Sequence, residues 1–287
     1  QNGRLFGREA QVNISGAYGT LYAGRLGSIA SDNGTLGYLS DVSAFPNAFG
    51  IVGTQKGSTG TAYDRYDNTL AYQTPTFGGL QGAIMYSFKG DTKASDSNVA
   101  NARENSGDAD RYLAAGLRYK AGKAAVVLTG DMTMYGNDAA NYGNVDNGYS
   151  FILGGNYDFG VAKVYAMGQY FQNAISVGQK YITDSGFGKF GYTFGDTAGW
   201  EGADGYGLAL GVGVPVLGGT AKAHVGYMDA EAAEDSSRKL SRWNVAVGYD
   251  YNLSKRTSVY SAAAYTKDDN TDYTGLEPSS LEVIAGL

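Results

Sequence analysis

Residues 242–251, RWNVAVGYDY, decide how this chain folds, because their side chains alternate strictly between two kinds. The apolar set consists of Trp243, Val245, Val247, Tyr249 and Tyr251. The polar or small set consists of Arg242, Asn244, Ala246, Gly248 and Asp250. Successive side chains of a β-strand point to opposite faces. The stretch is therefore predicted to be a strand with one apolar and one polar face.

The same alternation recurs along the whole chain, in segments joined alternately by short turns and by long polar loops. Thirteen strands are predicted from it together with the turn residues. They cover residues 9–15, 20–25, 65–74, 80–89, 111–120, 124–135, 148–159, 162–171, 205–214, 220–229, 241–251, 257–265 and 281–287.

Charged residues are sorted between the two faces of these strands. The apolar faces carry no charge in mid-strand in the sets Leu80, Ile84, Tyr86; Leu113, Leu117, Tyr119; Val126, Leu128, Met132; and Tyr206, Leu208, Leu210, Val212. The opposite faces carry Arg118, Asp131, Asn156, Asp158, Lys163, Gln169, Lys222, Arg242 and Asp250. A Lys or Arg facing lipid at mid-bilayer would cost about 2–4 kcal/mol. The sorting predicts an all-β fold, a transmembrane antiparallel β-barrel with lipid outside and water inside. A soluble sandwich or solenoid is the alternative, and apolar outer faces on nearly every strand disfavour it.

The composition agrees with a barrel and excludes several other classes. The 287 residues include 44 Gly and 24 Tyr, which suit crowded strands and aromatic girdles at the two membrane interfaces. No apolar run reaches the length of about 18 residues that a transmembrane helix needs. Cysteine is absent, which excludes disulfides and thiolate chemistry. A net charge of −6 argues against nucleic acid as a partner. No signal peptide is visible at Gln1, so we expect a mature or truncated chain.

No catalytic or cofactor-binding constellation is found, and we expect neither an enzyme nor a cofactor. His224 is the single histidine, and no G-x-S-x-G elbow accompanies it, which disfavours a barrel hydrolase. Asp268, Asn270 and Asp272 imitate the start of a calcium loop, but Tyr273 stands where glycine is required. Adventitious Ca²⁺ binding at the acidic external loops stays open.

Four stretches resemble a known family. They are residues 3–25, GRLFGREAQVNISGAYGTLYAGR; 65–86, RYDNTLAYQTPTFGGLQGAIMY; 251–260, YNLSKRTSVY; and 281–287, LEVIAGL. In this order they resemble strands of the general-diffusion porins of the Gram-negative outer membrane. The resemblance implies a single barrel domain over residues 1–287, of sixteen strands when complete. It implies that thirteen of those are visible in this sequence and that the sequence lacks the first three strands and the final few residues, and it leaves open whether the molecule itself lacks them. It further implies a homotrimer embedded among outer-membrane lipid and lipopolysaccharide.

The resemblance also gives a role to the long segment 26–64, which falls where the family's third external loop folds into the lumen and narrows it. A floppy external loop is the alternative. In the family, acids on this loop face bases on the wall, and the field between them screens solutes by charge. The loop acids here are Asp32, Asp41 and Asp64. Arg25 and Arg65 match the family's wall arginines.

Alternation supports some of these wall residues directly. Asp67 shares the polar face of Arg65. Arg25, in contrast, shares a face with the apolar Leu21, which conflicts with the wall position that the resemblance implies for it. A bulge or strand end at Gly24 would remove this conflict. Further expected pore-wall residues are Arg118, Lys120, Asp131, Lys163, Lys222 and Arg242, each with a solvated surface charge as its alternative.

The function that follows is a water-filled channel for passive diffusion of ions and small hydrophilic solutes. A substrate-specific outer-membrane channel and a barrel with an adhesive, surface-binding role are the alternatives. Because lumenal acids and bases nearly balance, the sequence leaves the ion preference open.

Overall fold

The computed structural model contains one antiparallel sheet of thirteen strands, each paired with its neighbours in chain order. It describes residues 6–46, 50–53, 65–90, 104–136, 146–174, 203–233, 236–237, 239–270 and 279–287. The strands are β1 (Ala10–Gly16), β2 (Gly19–Gly27), β3 (Arg65–Gln73), β4 (Leu80–Ser87), β5 (Arg111–Ala121), β6 (Ala124–Met134), β7 (Gly148–Asp158), β8 (Lys163–Ala174), β9 (Ala203–Val216), β10 (Gly219–Ala232), β11 (Lys239–Asn252), β12 (Ser258–Asn270) and β13 (Ser279–Gly286).

The predicted number and positions of the strands are confirmed. Strands β9 to β12 extend further toward the long loops than alternation alone predicted, because hairpin pairing continues there as far as Ala203 with Ala232 and Leu240 with Asn270. Strands β1 and β13 form the two edges of the described sheet. Within the ranges described, no helix is long and apolar enough to cross a membrane.

The two faces of the sheet differ as the alternation predicts. On the outer face, Leu128, Leu153 and Val247 are about half exposed, whereas the inward-facing Val127 and Ile152 are buried. Exposed aromatic residues cluster at both ends of the outer face. They are Tyr119, Tyr157, Phe159 and Tyr251 toward the short turns, and Tyr149, Tyr170, Tyr206, Trp243 and Tyr265 toward the long loops. An apolar band between two aromatic belts is the arrangement expected for a membrane barrel.

The interior is filled by the described part of the segment between β2 and β3. This segment contains two short 3₁₀ helices, Tyr38–Val42 and Gly50–Val52. Its apolar side chains are almost fully buried against the inner wall, namely Ile29, Leu36, Tyr38, Leu39, Val42, Phe45, Ile51 and Val52. The main core of this protein therefore lies between the wall and the loop that the wall encloses.

A bulge interrupts the pairing of β2 with β3 at the position that the sequence predicted. The register shifts between Gly24 and Leu26, and Gly24 has a φ of +132°, which only glycine adopts readily. On β3, Asn68 also has a positive φ, of 48°. These irregularities turn Arg25 toward Asp67, with which it forms an ion pair. Simple alternation therefore fails on both strands at this point.

Candidate functional site: the lumen and its loop

The inner loop packs directly on the backbone of the wall. Four inward-facing glycines on alternate strands, which we call the seating glycines, leave the space that it occupies. A methyl group at Gly116 would lie 2.6 Å from Ile29 Cγ2, at Gly154 2.7 Å from Val42 Cγ2, at Gly211 2.8 Å from Ala44 Cβ, and at Gly248 2.8 Å from Phe45 Cε1. Real Cβ atoms essentially never approach so closely. The loop can therefore lie in this position only because these four wall residues are glycines.

Polar contacts hold the loop where it leaves β2. The Ser28 and Tyr112 hydroxyls lie 2.7 Å apart, and the backbone N–H of Ile29 donates to Met85 Sδ at 3.3 Å. Tyr112 in turn stacks on Tyr66 with 3.8 Å between ring centroids. The start of the loop is thereby bound to β4 and β5, and Tyr66 of β3 supports the β5 contact.

Further polar contacts hold the loop against the inner face of strands near the other edge of the sheet. The backbone N–H of Ile51 donates to Glu282 Oε2 at 2.5 Å, and its carbonyl accepts from Asn244 Nδ2 at 3.0 Å. Asn244 also donates to Thr266 Oγ1 at 2.6 Å. Both backbone polar groups of one loop residue are satisfied by wall side chains, so the loop is fixed to β11 and β13 as well.

Asp41 is the loop acid that meets bases on the wall. Its carboxylate lies 2.6 Å from Lys120 Nζ and 3.4 Å from Arg118 Nη1. The Arg118 guanidinium stacks over the Tyr38 ring at 4.6 Å and donates through Nε to Gln81 Oε1 at 3.1 Å. The expected contact between a loop acid and wall bases is thus present, as ion pairs of Asp41 with Lys120 and Arg118.

Two other expected wall bases are paired with wall acids near the long loops. Arg25 Nη1 lies 2.6 Å from Asp67 Oδ1, and its Nε donates to the Gly7 carbonyl at 3.0 Å. Arg242 forms a two-pronged contact with Asp268, with both N–O distances 2.6 Å. Arg242 lies on the inner face, as alternation predicted, but it is only 2% exposed. It is therefore covered from passing solutes and is not an open charge on the pore wall.

The remaining predicted residues occupy different surroundings. Asp32 is buried and accepts from Asn33 Nδ2 at 3.1 Å, while Arg65 Nη2 donates to Asn33 Oδ1 at 3.3 Å. Asp131 lies on the inner face of β6 beside Tyr112 and Ser150. Asp64, the third predicted loop acid, lies outside the described residues.

A polar cavity of about 440 Å³ opens beneath the loop on the short-turn side. Its charged lining consists of Lys120, Lys123, Lys163, Lys222, Asp41 and Asp158. Lys222 pairs with Asp250 and lies 5.8 Å from the Phe45 ring centroid. All three predicted wall lysines, Lys120, Lys163 and Lys222, thus line the same cavity as the loop acid Asp41.

Comparison with known proteins identifies the family of this chain. The family model described as Gram-negative porin matches residues 1–271. The chain belongs to the Gram-negative porin family. It is 32% identical over 283 residues to an outer membrane porin protein of Bordetella pertussis, covering 93% of this chain and 68% of that protein. It is 24% identical over 290 residues to outer membrane porin protein 32 of Delftia acidovorans, covering 98% and 69%.

Solved porins share the fold. An anion-selective porin from Comamonas acidovorans matches with a TM-score of 0.59 at 23% identity, covering 98% of this chain and 73% of that one. The trimer form of OmpT from Vibrio cholerae matches with a TM-score of 0.59 at 11% identity, covering 97% and 77%. The protein is therefore an outer-membrane porin with the fold of a porin barrel.

Sequence reasoning missed several residues that position the loop in this porin. Glu282 was not singled out, although alternation places it on the inner face between Leu281 and Val283. Asn156, which donates to the Asp41 carbonyl at 2.5 Å, was assigned to the inner face without a role. The seating glycines gave no signal of their own, because a glycine in a strand does not reveal which segment packs on it.

Proposed function

We propose that this porin forms a water-filled channel through which ions and small hydrophilic solutes diffuse passively across the outer membrane. One observation carries the proposal: a segment from the β2–β3 connection lies inside a sheet whose outer face is apolar. In the channel that we propose, this loop narrows the lumen, and the ion-paired Asp41, Arg118 and Lys120 supply charge beside the path of the solute. Size and charge of the solute then set its rate of passage.

We further propose that the channel assembles as a homotrimer and has no catalytic role. The trimer form of OmpT from Vibrio cholerae, which shares the fold, supports the assembly. Against catalysis, His224 is 5% exposed, bonded to Asn244, and packed edge-on against Phe45 at 5.6 Å. A buried imidazole held in this way has no access to a solute in the lumen.

Single-channel recording of the full-length protein in a planar bilayer tests the proposal. We expect ohmic current steps that arrive in groups of three, with a small reversal potential in a KCl gradient. Arg65→Glu should shift the reversal potential toward cation preference, because Arg65 lies beside Asn33 at the loop. Folded, trimeric protein that gives no steps would refute the channel. An unchanged reversal potential would remove Arg65 from the conducting path.

A further inference from the structure

Two neighbouring short turns present large apolar side chains at their tips instead of the polar residues that are common in turns. Leu217, between β9 and β10, is 87% exposed, and Leu253, between β11 and β12, is 57% exposed. Tyr251, an exposed aromatic residue of the outer face, links the two turns, because a Cβ atom at Gly218 would lie 3.2 Å from its ring. The two tips therefore belong to one continuous surface at the rim of the barrel.

The backbone of the first turn is unfavourable for the leucine that it carries. Leu217 and Gly218 have φ values of +50° and +79°, as in the type I′ hairpin turn that normally carries Asn–Gly. The left-handed region is costly for leucine. The turn is nevertheless held in place, since the Tyr249 hydroxyl lies 3.0 Å from the carbonyl oxygens of both Val216 and Leu217. In water this leucine adds strain and gains nothing, whereas in lipid its side chain leaves water.

Two basic residues come shortly after the second apolar tip. Lys255 and Arg256 are both exposed, and among the residues that the structure describes no carboxylate lies within 4.0 Å of either one. The acid closest to them in sequence, Asp250, is paired with Lys222 on the inner face. The backbone N–H of Arg256 donates to Ser254 Oγ at 3.1 Å, so the turn has a defined shape. Its two cations face outward without an acid beside them.

This combination of an apolar tip and basic residues is particular to one turn. Between β5 and β6, Lys123 belongs to a turn without a large apolar side chain, and it lines the cavity on the lumen side. The exposed Tyr18 and Phe77, between β1 and β2 and between β3 and β4, stand in turns without charge. Among the six short turns, all of which lie in the described ranges, only the β11–β12 turn has an exposed apolar tip near two consecutive basic residues.

We propose that Leu217, Tyr251, Leu253, Lys255 and Arg256, which we call the turn patch, bind an anionic phospholipid in the leaflet next to the short turns. The short turns of outer-membrane barrels are periplasmic. The two leucines enter the boundary of the acyl region, Tyr251 lies at the level of the headgroups, and the two basic side chains contact the phosphate. A zwitterionic headgroup brings its own cation, so two basic side chains without an acid select an anionic one. The inference concerns the outer rim and does not rest on the proposed channel function.

Quenching of tryptophan fluorescence by brominated phospholipids tests this site in the full-length protein. Both natural tryptophans, Trp200 and Trp243, are replaced by Phe, and Leu253→Trp places a single sensor in the turn patch. Tyr251→Trp is a second sensor, in which one aromatic residue replaces another. Each variant is reconstituted in phosphatidylcholine bilayers with increasing fractions of brominated phosphatidylglycerol or brominated phosphatidylcholine. The two series give the relative affinity of the two lipids for this position, and gel mobility with and without heating shows that each variant is folded.

We expect phosphatidylglycerol to bind the turn patch more tightly than phosphatidylcholine. A basic residue at an anionic membrane surface contributes about fivefold in affinity, so the two together should give a preference of roughly 25-fold at low salt. Lys255→Gln and Arg256→Gln should each lower the preference about fivefold. Arg256→Lys should keep most of it, because the charge is retained. Lys123→Gln is the matched control, since it removes a lysine from a short turn outside the patch, and it should leave the preference unchanged.

Two results would overturn the inference. Equal quenching by the two lipids, or the same loss of preference in Lys123→Gln as in Arg256→Gln, would show that the turn patch does not select an anionic headgroup. Absence of quenching by either lipid at both sensor positions would place the turns outside the bilayer. Both results are independent of single-channel current, so a failure of the lipid site is distinguishable from a failure of the channel.

Discussion

Replacing Asp41 by Asn should change the charge of the lumen while leaving the loop in place. Asp41 is the loop carboxylate between Lys120 and Arg118, and it is about one-fifth exposed. The backbone at this point is held independently, because the Asp41 carbonyl accepts from Asn156 and the adjacent Val42 packs on a seating glycine. The variant should therefore release two wall cations from their partner without moving the wall.

The size of the effect follows from Coulomb's law. A unit charge about 6 Å from a passing ion contributes about 0.7 kcal/mol in water, and 0.1 M salt reduces this to roughly 0.4 kcal/mol. The contribution has opposite signs for K⁺ and Cl⁻. Removing the Asp41 charge should therefore favour Cl⁻ over K⁺ by about 0.8 kcal/mol, which is roughly a fourfold change in permeability ratio.

Reversal potentials in KCl gradients measure this ratio. The matched control is Asp269→Asn, which removes a carboxylate from an exposed position near the end of β12, outside the lumen. The Asp41→Asn effect should fade near 1 M salt, where the Debye length falls to about 3 Å. Equal permeability ratios for the two variants at 0.1 M salt would refute the placement of Asp41 beside the ion path.

Three further predictions concern stability. The new side chain of Gly154→Val should overlap Val42 and destabilise the folded barrel by about 1–3 kcal/mol through overpacking, which gel mobility after graded heating measures. The same variant should alter the single-channel conductance, which bilayer recording measures. Arg242→Ala should cost about 3–5 kcal/mol, because it leaves the buried Asp268 carboxylate uncompensated, whereas replacing both residues by Met and Leu should cost much less in the same heating assay. Burial raises the pKa of Asp110, which precedes β5, so the folded state holds this proton more tightly than the unfolded chain. Stability should therefore fall as the pH rises from the ordinary pKa of this carboxyl through the raised one, and Asp110→Asn should flatten that part of a stability–pH curve.

The strands of this porin could be predicted because each one carries its own signal. Alternation is a local property, and a lipid-facing charge is costly enough that the outer face of Leu117, Leu128 and Leu153 carries none. The Gly24 bulge was also predictable, because Arg25 conflicted with the alternation of its own strand. These features needed no knowledge of which strands or loops lie opposite each other.

The partners of the lumenal charges could not be predicted in the same way. Alternation places Arg242 on the inner face, but its burial depends on Asp268, which comes from a different strand at a particular register. The position of Asp41 depends on where the loop crosses the lumen. That path is decided by contacts that are distant in sequence, such as Ile51 with Glu282, and no local pattern reports them.

The seating glycines imply that the width of the lumen depends on the wall as much as on the loop. They lie on β5, β7, β9 and β11, and each replaces a side chain that would otherwise stand between the wall and the loop. Because protein interiors are close-packed, a loop cannot shift by a fraction of an ångström at one contact without moving at the next. The polar contacts of Ile51 and Ser28 then fix where the loop lies along the wall, while the glycines fix how close it comes to the wall. A loop sequence transferred to a wall with alanine or valine at these four positions would therefore occupy a different height above the strands, and the same acids would meet different bases.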